Sequence, residues 1–352
     1  MTILAKLKTS LIWVVALVAV GLVAHGLANP PQSKKKSAEQ PPIEPKFTFV
    51  VHPNCDLTKP ERGTELMDIN DFGQIVGGFS DKSGVVRGFL ATDTGLMGLT
   101  ELKGDEFNNK WKFHDIEIEG ASFTRAYGLN NNGTIVGTFQ VGTRFMGFRV
   151  TIQQVLDAAG RPIALYPSDV IDIGGINTQA LGVNDVGTIV GGYTEADGSI
   201  VGYKLPFGGK PERLEVGLGN LTTLTDISDD GTTVGTYGDL NQDSGFIDTT
   251  MSVLLDGSLQ LQANRTLGYN GTNSALGINN NQQIAGIVGE SETCSGNISF
   301  AETGYVDTEI VLIEIPHRRT TAVAGLNGSG LIVGATDNDF GALVGFVGAI
   351  AQ

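Results

Sequence analysis

A short polar turn followed by a strand that is apolar on both faces recurs six times along this chain of 352 residues. In the first copy the turn occupies 70–73, and the apolar strand follows at 75–79. A strand with one face in water alternates apolar and polar residues, whereas apolar residues on both faces indicate burial on both sides. The pattern therefore predicts β-strands that pack between two neighbouring layers of the protein.

The six copies are spaced 60, 54, 44, 51 and 48 residues apart, so the repeat is about 51 residues long. An aromatic residue follows each copy at a similar distance, and we expect it to fill the core of its unit because a buried aromatic removes a large apolar area from water. The turns begin at Asn70, Asn130, Asn184, Ser228, Asn279 and Asn327, and the aromatics are Phe89, Phe148, Tyr203, Phe246, Phe300 and Phe346.

The turn residues follow the preferences of a type I turn, which favours Asn, Asp or Ser at its first position and Gly at its fourth. The fourth-position glycines are expected at positive φ, closing a hairpin with a bulge; they are Gly73, Gly133, Gly187, Gly231 and Gly330. The fifth copy has Gln282 at this position, where a side chain should strain the turn by about 1–2 kcal/mol.

Each unit contains four predicted strands, which we label A to D; in the second copy they lie at 112–118, 125–129, 134–139 and 145–151. Six such units predict an all-β fold, a six-bladed β-propeller built from four-stranded repeats, because closure into a ring protects strand edges. An open β-solenoid is the alternative. The pattern does not decide which strand is innermost. If it is C, the two termini must share a blade, and if it is A, every blade is continuous in sequence.

The repeats resemble the HAF repeats, a family of bacterial extracellular repeats named for a His-Ala-Phe motif. The shared residues are the Gly-(Ile/Leu)-Asn-x-x-Gly-x-Ile-Val-Gly core and the later Gly-Phe, and they cover 47–352. Most copies have Gly-Phe where the family has His-Ala-Phe, and Ser228 and Gln282 also depart from the pattern. The resemblance implies export and a propeller-like β fold, and it implies no established activity.

The N-terminus has the pattern of a secretory signal peptide at 1–28, with Lys6 and Lys8 before an apolar run of fourteen residues at 11–24. Such a run fits a signal peptide and is short for a membrane span; a retained N-terminal anchor is the alternative. The segment 29–46 is Pro- and Lys-rich and predicts a linker. The propeller domain then occupies 47–352. We expect the protein to be secreted, periplasmic or on the cell surface, with no membrane insertion after signal removal.

The formal net charge is −15, with 38 acidic and 23 basic residues. Nucleic-acid partners are disfavoured because phosphates need a basic surface. The charge is compatible with cations, neutral glycans or protein partners.

Two cysteines, Cys55 and Cys294, could form one disulfide in an exported protein, or remain as two isolated thiols. The best metal candidate is the segment 239–245, where Asp239, Asn241 and Asp243 alternate as oxygen ligands do in Ca²⁺ loops. The match is incomplete, and a polar C–D loop is the alternative reading. No other cofactor is indicated.

No catalytic residues can be assigned from the sequence, since it has no nucleophile elbow and no phosphate loop. The three histidines beyond residue 28 (His52, His114 and His317) follow no metal-ligand spacing. We therefore expect a non-catalytic binding or structural module that presents an unknown protein or glycan ligand to its interblade loops. The alternative is a propeller hydrolase or lyase that acts on a glycan or small ester in an axial pocket.

The connections between units differ more than the repeats do, and variable loops on a rigid scaffold commonly carry function. The longest D–A connections are expected at about 92–110, 152–168 and 249–262, on the same face as the B–C turns. A long C–D loop at 288–297, with Cys294, and the A–B loop with Cys55 should lie on the other face.

Overall fold

A computed structural model of the chain describes residues 46–60, 62–93, 111–214, 220–241, 246–255, 261–263, 272–290, 293–300, 311–313, 315, 318 and 320–349. The expected signal peptide and most of the expected linker lie outside these residues, as does His317. The described part is almost entirely β-structure, arranged as a β-propeller, so the expected all-β class is correct.

Four separate antiparallel sheets contain four strands each. The first sheet is β2 (Thr64–Ile69), β3 (Ile75–Ser80), β4 (Val86–Asp93) and β5 (Trp111–Ile116). The second is β6 (Phe123–Leu129), β7 (Thr134–Val141), β8 (Arg144–Thr151) and β9 (Val170–Ile171). The fifth-repeat sheet is β18 (Thr272–Ile278), β19 (Gln283–Glu290), β20 (Thr293–Phe300) and β21 (Val311–Ile313). The closing sheet is β22 (Thr321–Leu326), β23 (Leu331–Asp337), β24 (Leu343–Ala349) and β1 (Lys46–Val50).

The remaining eight strands belong to one sheet, so the structure has four of the six separate four-stranded sheets that the repeats predict. Its first half is β10 (Asn177–Val183), β11 (Ile189–Thr194), β12 (Ile200–Leu205) and β13 (Glu212–Leu214). Its second half is β14 (Leu221–Ile227), β15 (Thr233–Asn241), β16 (Phe246–Leu255) and β17 (Leu261–Ala263). A single parallel pairing, Ile200 with Leu221, joins the two halves.

The strand that begins each sheet is B of the sequence repeat, and A lies at the opposite edge of the preceding sheet. The six B strands β2, β6, β10, β14, β18 and β22 contact one another in this order, and β22 contacts β2. B is therefore the innermost strand, and neither expectation, C or A, was right. The sequence pattern misled because strand C is the glycine-rich one, and its glycines lie opposite the large aromatics of strand D rather than at the axis, as Gly77 opposite Phe89 and Gly137 opposite Phe148 show.

The N-terminal strand β1 completes the closing sheet by pairing antiparallel with β24, with Phe49 opposite Phe346. The termini thus share a sheet, as the alternative with an inner C strand required, although only one N-terminal strand takes part. Lys46 pairs with Ala349, and Ala349 also pairs with Leu331, the residue after the last turn. The chain therefore enters β1 at the face that carries the B–C turns, which we call the turn face.

The recurring aromatics anchor the sheets. Four of them have no exposed surface, and each is paired directly with a glycine of the adjacent strand C: Phe89, Phe148, Tyr203 and Phe346. The glycine opposite Phe148 illustrates the fit, since a Cβ on Gly137 would lie 2.5 Å from the Phe148 ring. The side chains of Phe246 and Phe300 are outside the described residues.

Three expected connections have more regular structure than the sequence suggested. The stretch 249–262 is mostly strand, because β16 runs on to Leu255 and β17 begins at Leu261. The expected long C–D loop at 288–297 is instead a hairpin, with β19 ending at Glu290 and β20 starting at Thr293. The connection at 152–168 contains a capped helix, α1 (Ile152–Ala158). The stretch 94–110 is outside the described residues.

Within the described part of the chain, no helix has the length and apolar character needed to cross a membrane.

Candidate functional site

In five of the six turns, the first residue ties its own hairpin to the next one around the ring. Asn130 accepts a hydrogen bond from the Thr134 N–H at its Oδ1 (2.8 Å), while its Nδ2 donates to the Asn184 carbonyl (2.8 Å). An amide side chain carries its acceptor and its donor on separate atoms, so asparagine can bond to its own hairpin and to the next turn at the same time. The same donated bond runs from Asn70 to Asn130, from Asn184 to Ser228, from Asn279 to Asn327 and from Asn327 to Asn70.

Ser228 is the exception, because a hydroxyl is too short to reach the next turn. Its Oγ instead accepts a bond from Gln282 Nε2 at 3.3 Å, across the same junction. Gln282 has φ 61°, the positive value expected for this position. The non-glycine residue that breaks the turn pattern therefore bridges the junction where the amide is absent.

A second ring of hydrogen bonds runs through the second turn residues, where the backbone N–H of one turn donates to the side chain of the next. Asp185 N–H, for example, donates to Asp229 Oδ1 at 2.8 Å. Equivalent bonds join 71 to 131, 131 to 185, 229 to 280 and 328 to 71. Gly328 has no side chain to accept from the turn at 280, and Asn281 Nδ2 donates to its carbonyl instead (3.0 Å). The two rings fix the centre of the turn face.

An axial cavity of about 70 Å³ lies inside these rings. Its walls are the ends of the innermost strands and the first and second turn residues. Two half-buried carboxylates, Asp68 of β2 and Asp226 of β14, lie among the lining residues. They belong to strands three places apart in the ring of six, so they approach the axis from opposite sides.

Asp68 and Asp226 occupy a register shift that recurs in every innermost strand, and the other four strands have glycine there: Gly128, Gly182, Gly277 and Gly325. Glycine is required in the strand that precedes each aspartate, because the two strands approach too closely for a Cβ atom. A Cβ on Gly325 would lie 2.8 Å from Asp68 Cα, and one on Gly182 would lie 2.6 Å from Asp226 Cα. The acidic residues therefore fit only where the preceding strand presents glycine.

Each carboxylate accepts two backbone hydrogen bonds. Asp68 accepts from Ile69 and from Leu129 of the next innermost strand, and Asp226 accepts from Ile227 and Ile278, all at 2.8 Å. These bonds fix both side chains and link neighbouring sheets. A carboxylate has about four lone-pair positions, so each retains capacity for further donors.

The site favours a proton or a cation. Burial raises the pKa of Asp68 to about 7, although the hydrogen bonds from Leu129 and Ile69 act in the opposite direction. Burial and the negative charge of Asp68 raise the pKa of Asp226 well above its usual range. Two carboxylates that interact titrate as a pair, so the pair resists losing its last proton unless a positive charge replaces it.

The size and the donor set limit what the cavity can hold. Sites for drug-sized organic ligands span about 300–1,000 Å³, so a cavity of about 70 Å³ is too small for a sugar ring. Ca²⁺ takes six to eight oxygen ligands, and no group of three or more metal-binding side chains exists among the described residues. The geometry fits water, a small cation or the head group of an extended side chain.

The turn face also exposes apolar side chains on one side of the axis. Phe72 and Val186, the third residues of two turns, are 68% and 64% exposed. Phe207, in the loop after β12, is 71% exposed and lies beside Gly187 of the same turn as Val186. The third turn residues elsewhere are polar: Asn132, Asp230, Asn281 and Ser329.

The predicted calcium ligands lie largely outside the described side chains. Asp239 and Asn241 belong to β15, opposite Thr249 and Phe246, and only their backbone is described. Asp243 is outside the described residues.

Cys55 is a buried free thiol, so the possible disulfide with Cys294 is not formed in the structure. It packs in the core of the first sheet with Phe79, while Cys294 lies on β20, opposite Gly289. The closing sheet stands between them, since its β22 contacts both β2 and β18. Burial raises the pKa of the Cys55 thiol, which makes it less reactive.

His52 is a core residue. Its ring stacks on Phe79, and its Nε2 lies 3.0 Å from Asp115 Oδ1. Its Nδ1 accepts from the Asn54 N–H, which leaves Nε2 to donate to Asp115. All polar atoms of the ring are thus satisfied, which indicates a structural role.

Sequence reasoning missed Asp68 and Asp226. The sequence did contain a signal for them. When the six copies are aligned on their turns, the position two residues before the turn is glycine in four copies and aspartate in the first and the fourth. Only the ring closure shows that these two copies face each other.

No family model matches this sequence, and no curated protein matches it. Among solved structures, TolB from Acinetobacter baumannii is similar with a TM-score of 0.46 and 11% identity, over 79% of this chain and 64% of that chain, so this chain spans less than two thirds of TolB. The luciferin-regenerating enzyme gives 0.42 and 11%, over 88% and 96%. The β-propeller domain of the Trilobed protease from Pyrococcus furiosus gives 0.42 and 11%, over 81% and 95%. These likenesses are distant, and the propeller arrangement rests on the sheets and the inner-strand contacts of this chain itself.

Proposed function

We propose that this chain is an exported, non-catalytic six-bladed propeller of the HAF-repeat type that binds a protein partner on its turn face. The six-blade count treats the two halves of the eight-stranded sheet as separate blades. Their single bridge at Ile200 and Leu221 supports this count, and so does the closed order of the six innermost strands. Export rests on the signal-peptide pattern at 1–28.

The observation that carries the proposal is the turn face itself. Two hydrogen-bonded rings hold its centre rigid, and rigid surfaces bind with a smaller loss of conformational freedom. Phe72, Val186 and Phe207 stand exposed beside this centre. Exposed apolar side chains next to polar groups are typical of protein interaction sites.

The alternative of a hydrolase or lyase in the axial pocket is disfavoured by space. Paired carboxylates with raised pKa are suited to acid–base chemistry, and Asp68 and Asp226 meet that description. The cavity, however, is too small for a glycan or an ester substrate to reach them.

The test is binding by the purified chain to peptide and glycan arrays, repeated with two matched variants. Phe207→Ser alters the turn face, and Phe340→Ser alters an equally exposed phenylalanine (68%) in the β23–β24 loop on the opposite face. We expect peptide binding that is lost in the first variant and retained in the second. Turnover of a glycan or ester by the unmodified chain, or binding that depends on Phe340, would contradict the proposal.

A further inference from the structure

We infer that the turn face docks a basic protein segment, whose lysine or arginine head group enters the axial cavity while neighbouring apolar residues contact Phe72, Val186 and Phe207. This inference rests on the proposed function and names the chemistry of the partner.

The apolar contacts lie on one half of the face. Phe207 lies beside Gly187, the residue after Val186, and Phe72 belongs to the turn of the first sheet, two places away in the ring. The turns of β14, β18 and β22 present Asp230, Asn281 and Ser329 instead. A partner is therefore expected to lie off-centre, with one side chain reaching the axis.

The charge at the axis selects a basic partner. The described residues that line the cavity include five aspartates and no Lys, Arg or His: Asp68, Asp71, Asp185, Asp226 and Asp229. The net charge of the whole chain, −15, has the same sign. A positive side chain that approaches this face is attracted at long range and then meets the carboxylates.

The hydrogen-bonding capacity at the axis fits a cationic head group. Each of Asp68 and Asp226 accepts two backbone bonds and has room for about two more. An ammonium group brings three N–H donors and a guanidinium five. A cavity of about 70 Å³ accommodates such a head group on a narrow aliphatic stem, and the stem would pass between the turn residues at the mouth.

Proton and head group compete for the same carboxylates. Because the pKa of Asp68 is raised to about 7 and that of Asp226 well above its usual range, a cation that binds must displace a proton. The rim carboxylates Asp71, Asp185 and Asp229 face the same space and add attraction. Affinity for a basic segment is therefore expected to rise from about pH 5 to about pH 8.

The experiment selects a phage-displayed library of random twelve-residue peptides on the purified chain at about pH 8, and then measures the enriched peptides by calorimetry. We expect a lysine or arginine beside apolar residues in the enriched peptides. Replacing that residue by norleucine should weaken binding at least about 10-fold, as for the loss of a charged hydrogen-bonded group. Affinity should fall about 10-fold at about pH 5.

The variants Asp68→Asn and Asp226→Asn should reproduce this loss, and Asp197→Asn, in the β11–β12 loop on the opposite face, should not. If an axial variant fails to fold, Asp71→Asn and Asp229→Asn at the rim serve in its place. Peptides that need Phe207 but bind the axial and rim variants unchanged would overturn the inference and keep the proposed function. No enrichment on the turn face would overturn both.

The chain itself offers a rival occupant, since Lys34, Lys35 and Lys36 precede β1, which begins at the turn face. Replacing these three lysines by glutamine should leave peptide affinity unchanged. A rise of about 10-fold would show that the chain's own lysines fill the cavity, and would overturn the assignment to a separate partner.

Discussion

Replacing Asp68 by asparagine should remove a pH-dependent loss of stability. In the folded protein burial raises the pKa of Asp68 to about 7, from 3.8. The folded state therefore binds this proton more tightly than the unfolded state, and the stability it provides is lost as the pH rises from about 4 through about 7. Each tenfold difference in proton affinity corresponds to about 1.4 kcal/mol.

Between about pH 5 and about pH 8 the ideal loss is about 3 kcal/mol for Asp68 alone. The side chain is half-buried and borders an open cavity, so solvent screening reduces this to about 1–2 kcal/mol. The substituted asparagine keeps an oxygen that can accept a hydrogen bond from Ile69 or Leu129, and it carries no charge. The substitution also removes the repulsion that raises the pKa of Asp226.

The assay is urea unfolding of the parent and the Asp68→Asn variant at both pH values, without added ligand. The parent should lose about 1–2 kcal/mol more than the variant on going to the higher pH. The control is Asp197→Asn, whose carboxyl has a lowered pKa because Ser199 donates hydrogen bonds to it; it should behave as the parent. Equal pH dependence in the parent and Asp68→Asn would refute the coupling of the axial carboxylates.

Three further predictions concern the fold. Phe148→Ala should cost about 3–5 kcal/mol in urea unfolding, because the ring is fully buried; a cost below about 1 kcal/mol would contradict its core position. Arg125→Met should cost about 3–5 kcal/mol, since it leaves Glu65 buried without the guanidinium 2.6 Å away, and a neutral effect would show that the pair is not buried. Ala159→Gly should stabilise the protein by about 0.5–1 kcal/mol, because it relieves the positive φ of 52° after α1. Gln282→Gly should stabilise the protein less, because it removes the hydrogen bonds to Ser228 and Asp230. A larger stabilisation by Gln282→Gly than by Ala159→Gly would contradict the bridging role of Gln282.

The local chemistry of the repeats was readable from the sequence. Gly73 and Gly133 have φ of 72° and 78°, as a turn closed by glycine requires. Four of the aromatics that follow the turns are buried as predicted: Phe89, Phe148, Tyr203 and Phe346. The turn conformations and the burial of the aromatics depend on residues near one another in the chain. The cross-junction role of Asn130 was not readable, because turn preference alone accounts for asparagine at that position.

The features set by ring closure could not be predicted. Strand A of each repeat pairs with the sheet of the preceding repeat, as β1 does with β24. This pairing depends on packing between sheets, and the hydrophobic pattern of the two strands does not encode it. The pairing of Asp68 with Asp226 joins residues of the first and fourth repeats. The separation of Cys55 from Cys294 by the closing sheet depends on the same geometry.

Closure of the ring by β1 is tested most directly by a cross-link between the two ends of the chain. Thr48 of β1 and Val347 of β24 are opposite each other in register, so their side chains lie on one face of the closing sheet, close enough for a disulfide. In the variant Thr48→Cys, Val347→Cys, we expect mild oxidation of the folded protein to link these two positions, as mapped by mass spectrometry. A folded protein in which this bond does not form would contradict the closure of the ring by β1.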